Sequence, residues 1–276
     1  MSDSHLKISA AELVALIGGN ACPPLVDVRR EPIFRQSETL IPTSVWRDHL
    51  RAREWARDYA GAVPIVFCAH GHNLSELAAA LLRQEGIEAR ILEGGMDAYL
   101  AAGGPTARRT GWFDPGAGPS RWVTRARPKI DRIACPWLIR RFIDRHAEIH
   151  FVAAEWVREV AAEMQAIPFD IPDVEFSHVG DTCSFDTFLD RFGLAAPGLR
   201  ELALIVRAAD TDRHHLSPQA PGLLAISLGL SLAFADDRKQ LEAGMPIYDA
   251  LYLWCRSGQG ETHDWKPERM REGAAA

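Results

Sequence analysis

Val66-Phe67-Cys68-Ala69-His70-Gly71-His72-Asn73-Leu74-Ser75 joins the end of an apolar run to the start of a helical pattern. Val63 to Phe67 is continuous enough to be a buried strand, and from Leu74 to Leu82 apolar residues recur at helical spacing. Strand, cysteine, tight glycine loop and helix is an arrangement that makes a thiol reactive. Backbone N–H groups of the loop and of the helix N-terminus point at the sulfur and favour the thiolate. By themselves these ten residues leave a second reading open, in which Cys68 packs as a small hydrophobe at a strand end.

The flanks repeat the alternation. Ser9-Ala10-Ala11-Glu12 is a capping box opening a short helix to Ile17, and Pro24 to Arg29 reads as a parallel strand buried on both faces. Thr43-Ser44 predicts the N-cap of a helix over Val45 to Tyr59. The helix after Cys68 should stop at Gly86, followed by a strand over Ala89 to Leu92, Gly94-Gly95, and a last helix from Met96 to Ala102. This β-α-β-α order implies a small parallel sheet covered by helices. Ligands of such sheets sit at the C-terminal ends of strands, where Cys68 falls.

Residues 6–105 resemble a rhodanese domain. The matching strings are Leu25-Val26-Asp27-Val28-Arg29, Ile41-Pro42, the cysteine loop, Leu92-Glu93-Gly94-Gly95 and Ala102-Gly103-Gly104-Pro105. The resemblance implies sulfur transfer, with Cys68 as nucleophile taking a sulfane sulfur as a persulfide and passing it on. The loop Ala69, His70, Gly71, His72, Asn73 would hold the substrate, its six-residue span from Cys68 being that of the sulfur-handling members. The family's loop is C-x-x-G-x-R, and here the arginine position is Asn73. His70 and His72 stand nearby as donors or as plain loop polarity. Cys68 with the two histidines lacks the fourth ligand a soft metal ion such as Zn²⁺ would want.

The 276-residue chain is long enough for two domains. We read residues 1–105 as the first, 106–120 as a Gly/Pro-rich linker in which Trp112 and Phe113 pack down, 121–256 as a helix-rich α+β domain, and 257–276 as a polar tail. The net charge of −6 argues against a general nucleic-acid binder, yet residues 106–150 carry 10 Lys and Arg against 4 Asp and Glu. Arg125, Arg127 and Lys129 alternate, and on an extended strand they share a face, with Arg132 just beyond. Beside a helix capped by Asp131 they would bind a small oxyanion; the other reading is a solvated basic strand.

Further on, strands are expected over Glu148 to Ala153 and Val174 to His178. Helices are expected over Ala154 to Gln165, Phe185 to Phe192 with Ser184 as cap, Leu199 to Asp210, Gly222 to Phe234, and Lys239 to Cys255 interrupted at Pro246. The uncharged run Pro218 to Ala235 reads as a buried core helix rather than a membrane span. His178, Asp210 and His214 could supply two imidazoles and a carboxylate to a metal, but nothing local fixes their geometry, and pairing of Asp210 with a basic-block arginine is preferred. No metal or other cofactor is assigned. Cys135 reads as core and Cys183 as the better second thiol. Five scattered cysteines without a C-x-x-C pair, and a start lacking a secretory h-region, point to a cytoplasmic protein.

Residues 121–256 resemble the C-terminal domain of the bacterial chromate-resistance family. The strings are Trp122-Val123-Thr124-Arg125, Asp131 to Phe142, Cys183-Ser184-Phe185-Asp186, Ala208 to Asp212 and Gly222 to Ser227. The two resemblances together imply a chromate-resistance-associated sulfurtransferase whose partners are a small sulfur donor and a thiol or oxyanion ligand. A non-catalytic oxyanion sensor is the alternative, and a DNA-binding regulator ranks last. Oligomeric state is not legible.

Overall fold

Residues 3–260 are described by a computed structural model, in which the chain divides into two compact units, the first running to Thr106 and the second over Ala107–Ser257. The expected polar tail lies, from residue 261 on, outside the described residues.

The first unit is built on a five-stranded parallel sheet. Its elements are β1 (Lys7–Ile8), α1 (Ala10–Leu16), β2 (Leu25–Asp27), α2 (Glu31–Gln36), β3 (Val45–Trp46), α3 (Ala52–Trp55), β4 (Ile65–Phe67), α4 (Leu74–Gln84), β5 (Arg90–Leu92) and α5 (Gly95–Ala101). The strand order is β1-β5-β4-β2-β3, so β4, which delivers Cys68, is central. Its three residues are buried, as a parallel strand covered on both faces requires. Ser9 caps α1 through the expected reciprocal contact with Glu12, whose carboxylate accepts from the Ser9 N–H at 2.8 Å.

The helix expected over Val45 to Tyr59 is corrected. Val45 and Trp46 instead form edge strand β3, with Val26 opposite Val45, and only the 3-10 and α turns of His49–Arg51, Ala52–Trp55 and Ala56–Tyr59 follow. Thr43, with φ +60, turns the chain into the sheet rather than into a helix. The Trp46 indole then donates to the Arg29 carbonyl at 2.9 Å, fixing this edge strand to the end of β2.

The second unit packs helices on a three-stranded parallel sheet of order β8-β6-β7: β6 (Arg121–Arg125), β7 (Glu148–Val152) and β8 (Ile167–Pro168). Its helices are α6 (Asp131–Leu138), α7 (Val157–Met164), α8 (Ser184–Phe192), α9 (Leu199–Asp210), α10 (Ala220–Ala233) and α11 (Asp237–Leu253). The fully buried Trp122 of β6 packs on Phe169, Phe176, Phe188 and Phe192, with Trp112 against Phe176 at 4.6 Å. Trp137 donates to Asp249, which also takes both arms of Arg141 at 2.8 Å, so α6 and α11 are joined by a charged contact as well as by apolar packing.

Four expectations change here. Val174 to His178 is not a strand, since only an isolated bridge, Phe169 with Phe176, forms there; β8 takes its place. Cys183, not Ser184, is the N-cap of α8, its N–H held by the Asp186 carboxylate at 3.0 Å. Pro246 lies within an unbroken α11. The run Pro218 to Ala235 is a helix but not a core one. Ser227 and Ser231 face inward while Ile226, Leu228 and Leu232 face out, Leu232 being 85% exposed. Ser227 turns inward to serve the chain between β6 and α6, its hydroxyl accepting the Ile130 N–H at 3.1 Å, and the backbone carbonyl of Ser231 accepts from Arg127. Among the described residues no helix is long and apolar enough to cross a membrane.

Candidate functional site

Cys68 is the first residue past β4, where the chain leaves the sheet for the N-terminus of α4. The loop is held by backbone contacts that only glycine permits. Gly71 and Gly95 both have positive φ, and a Cβ on Gly95 would stand 2.3 Å from the Cys68 carbonyl and 2.5 Å from the Gly71 nitrogen. The first turn of α5 then ties down the other side, with N–H groups of Met96 and Asp97 donating to the carbonyls of Cys68 and Ala69 at 2.9 and 3.0 Å.

The thiol is 5% exposed. Its sulfur lies 3.1 Å from the His72 carbonyl, to which the thiol donates, and 3.5 Å from the Ser75 hydroxyl. Burial opposes ionisation, but the Ser75 hydroxyl and the backbone N–H groups of Ser75, His70 and His72 outweigh it, so the Cys68 pKa falls below that of an ordinary thiol. Of the other thiols, Cys135 and Cys183 are raised chiefly by burial, and Cys255 is pushed up to about 11. Cys183 is fully buried, which corrects its reading as the better second thiol.

A cavity of about 340 Å³ opens over Cys68, lined by the loop residues Ala69, His70, His72 and Asn73 and by Arg29, Arg30 and Ile33. Asn73 has φ +41 as the N-cap of α4, and its N–H donates to Glu76. Cationic character comes instead from the end of β2. Arg29 is buried and locked onto Asp27, Nη2 to Oδ2 at 2.6 Å and Nε to Oδ1 at 3.0 Å, which leaves it structural. Arg30 is exposed at the cavity. His70 is taken by Asp97, with Nδ1 2.6 Å from Oδ2, while His72 stays exposed at the cavity wall. Sequence reasoning missed Arg29, Arg30 and Ser75 as site residues, although Asp27-Val28-Arg29 was among the strings that marked the domain.

In the second unit the four basic residues do not converge as expected. β6 ends at Arg125, and Arg127 and Ile130, both with positive φ, curl the chain away. Arg125 and Arg132 both pair with Asp170, at 3.1 and 3.3 Å. Arg127 reaches Ser231 and Lys129 is exposed. Two of the four cations are thus already neutralised by a buried carboxylate, which removes the basis for a dianion pocket built from this face. Nor does Asp131 cap α6: it is the first helical residue, and its carboxylate accepts the Ser184 N–H at 2.6 Å.

Of the metal candidates, His178 and Asp210 do meet, at 3.2 Å, whereas His214 sits beside Asp212 at 3.6 Å. Asp170, not Asp210, takes the basic-block arginines. Asp131 and Asp170 complete the surroundings of His178, at 3.6 and 3.4 Å. Asp170 and Asp210, accepting from the imidazole, push the His178 pKa up to about 10.

Residues 9–102 match the family described as rhodanese-like domain, and residues 122–255 the family described as ChrB, C-terminal domain. Over 133 residues the chain is 35% identical to Protein ChrB of Cupriavidus metallidurans, a match covering 48% of this chain and 40% of that protein. The chain therefore spans well under two thirds of that relative. Among solved structures, a rhodanese-related protein from Thermoplasma volcanium is 29% identical, with 36% of this chain and 95% of that chain covered and a TM-score of 0.32. A rhodanese homolog from Thermus thermophilus is 30% identical over 33% of this chain and 98% of that chain, with a TM-score of 0.28.

Proposed function

We propose that this chain, which joins a rhodanese-like domain to a ChrB C-terminal domain, is a cysteine-dependent sulfurtransferase associated with chromate resistance. The observation that carries the reading is the Cys68 sulfur, set at the C-terminal end of a central parallel strand, facing a cavity, and surrounded by donors that favour its thiolate.

The chemistry needs nothing beyond the thiolate and an anion-tolerant cavity. With thiosulfate as donor, the Cys68 thiolate attacks the sulfane sulfur, a sulfur–sulfur bond to Cys68 forms, and the bond to the sulfonate breaks with release of sulfite. An acceptor nucleophile such as cyanide then attacks the outer sulfur, takes it as thiocyanate, and returns the thiolate. The N–H groups of His70, His72 and Ser75 stabilise the negative charge on the persulfide as they do on the thiolate, and Arg30 meets the charge of the incoming anion.

The test is thiosulfate-dependent thiocyanate formation by the wild type and by Cys68→Ser. Loss of turnover in the variant supports the reading, and equal rates overturn it. Asn73 in place of arginine favours one second reading, an oxyanion-binding module that keeps the fold without turnover. For that module a thiosulfate-protected Cys68 that never yields thiocyanate is the expected result.

A further inference from the structure

The second unit gathers side chains from four separate segments around one imidazole. Asp131 opens α6, Asp170 follows β8 with a positive φ, His178 lies in the loop before α8, and Asp210 ends α9. The His178 Nε2 is 3.2 Å from Asp210 Oδ2, 3.4 Å from Asp170 Oδ1 and 3.6 Å from Asp131 Oδ2. Donor atoms of Asp131, Asp170 and His178 all lie within 4.8 Å of one another.

These separations are wider than the tightest charged contacts of the same unit, such as Arg140 to Glu242 at 2.6 Å and Arg141 to Asp249 at 2.8 Å. They match the spacing of neighbouring donors around one ion, which is about 3 Å when the bonds are about 2.1 Å long in octahedral geometry.

A second observation is independent of the spacing. Asp131 is 1% exposed, and its Oδ1 has no hydrogen-bond partner while its Oδ2 takes the Ser184 N–H. A buried carboxylate oxygen left unpaired is costly, and an ion beside it removes the cost.

The supports for such a site are also present. The Ser184 hydroxyl donates to Asp170 Oδ1 at 2.8 Å, and Arg125 and Arg132 hold Asp170 Oδ2. Ligating carboxylates are oriented by outer contacts of this kind. The His178 side chain is 41% exposed and, with Asp170 and Arg125, borders a cavity of about 640 Å³, which leaves one side of an ion open to water or a small ligand.

We propose that Asp131, Asp170 and His178, with Asp210 beside the imidazole, bind one divalent first-row metal ion of the Mn²⁺ or Fe²⁺ type. One imidazole nitrogen with carboxylate oxygens and no thiolate selects that class over soft ions. The site is independent of Cys68 chemistry.

The experiment uses the full-length protein, stripped with EDTA and titrated with MnCl₂, free Mn²⁺ being read from its six-line solution EPR signal. One Mn²⁺ bound per chain is the expected result, kept in Cys68→Ser and weakened at least tenfold in His178→Ala and in Asp131→Asn. His178→Gln is a second variant at the same exposed side chain, with the same expected loss, should either of those fail to fold. An undiminished free Mn²⁺ signal with the wild type overturns the proposal. So does binding in the His178 variants as tight as in the wild type, or a site that Ca²⁺ occupies as tightly as Mn²⁺.

Discussion

The Cys68 sulfur and the Ser75 hydroxyl lie 3.5 Å apart, the one at the end of the central strand and the other in the first turn of α4. Ser75 is fully buried and its hydroxyl also lies 3.4 Å from the His72 carbonyl, so it faces the sulfur from a fixed position. When Cys68 is the thiolate, this hydroxyl has an anion to donate to.

Ser75→Ala should therefore slow the alkylation of Cys68 near neutral pH by about tenfold, the lower end of what a hydrogen bond to a charged group is worth. The change removes one oxygen from a packed site, and the fold is retained. The measurement is the second-order rate with iodoacetamide. A rate equal to the wild type's would show that backbone N–H groups alone set the thiolate.

The pH profile follows from the same contacts. Because the Cys68 pKa lies below that of an ordinary thiol, its alkylation rate should rise to a plateau with a midpoint below the ~8.5 of a free cysteine. Cys135, Cys183 and Cys255 are raised by burial and should stay unmodified over that range. Peptide mapping by mass spectrometry after brief labelling at pH 7 checks the order. A midpoint at or above the free-thiol value contradicts it.

Gly95 and Gly86 separate two costs of losing a glycine. Both have positive φ, but a Cβ on Gly95 meets backbone of the cysteine loop at 2.3 Å, whereas on Gly86 it meets nothing within 4 Å. Gly86→Ala should cost about 1 kcal/mol, the strain of the left-handed backbone alone. Gly95→Ala should cost at least about 2 kcal/mol, since strain and displacement of the loop add. Hydrogen exchange of the amides of β4 and β5 reports both, and Gly95→Ala should also slow Cys68 alkylation while Gly86→Ala does not.

Asp27→Asn tests the buried pair that holds Arg29. Removing one member of such a pair leaves the other charge unmatched in the interior, at a cost of about 3–5 kcal/mol. Thermal unfolding of the first unit should shift accordingly. Little change would mean that Arg29 finds water or Ser37, which it already contacts at 3.2 Å.

The path from β4 through the cysteine loop to α4 was readable because its signals are local: an apolar run, a glycine, and helical periodicity bounded at Leu74 and Gln84. Edge strands of two residues, β1, β3 and β8, carry too little pattern to be seen. Val45 and Trp46 fit either period, and only pairing with β2 decides for strand. The alternation of Arg125, Arg127 and Lys129 looks like a strand face, but contacts from α11, distant in sequence, hold that chain in a turn: Gln240 donates to the Pro128 carbonyl at 2.6 Å and Tyr248 to the Ile130 carbonyl at 3.1 Å. Likewise Asp131 and Asp170 reach His178 only through tertiary packing, which no local spacing could show, whereas His214, near Asp210 in sequence, sits beside Asp212.

Arg30 offers the clearest division between binding and reactivity. It is exposed at the cavity mouth, next in sequence to the locked Arg29, and so supplies charge without supporting the fold. If it meets the anionic donor, Arg30→Ala should raise the KM for thiosulfate roughly fivefold, about 1 kcal/mol for a charge pair near a protein surface. The kcat should hold, because Arg30 is not among the groups that stabilise the Cys68 thiolate. Iodoacetamide, which is neutral, should react with the variant at the wild-type rate. The KM difference should shrink as salt is raised, because screening over about 8 Å at physiological ionic strength weakens an exposed pair. A fall in the iodoacetamide rate equal to the fall in kcat/KM would instead place Arg30 among the groups that set the thiolate.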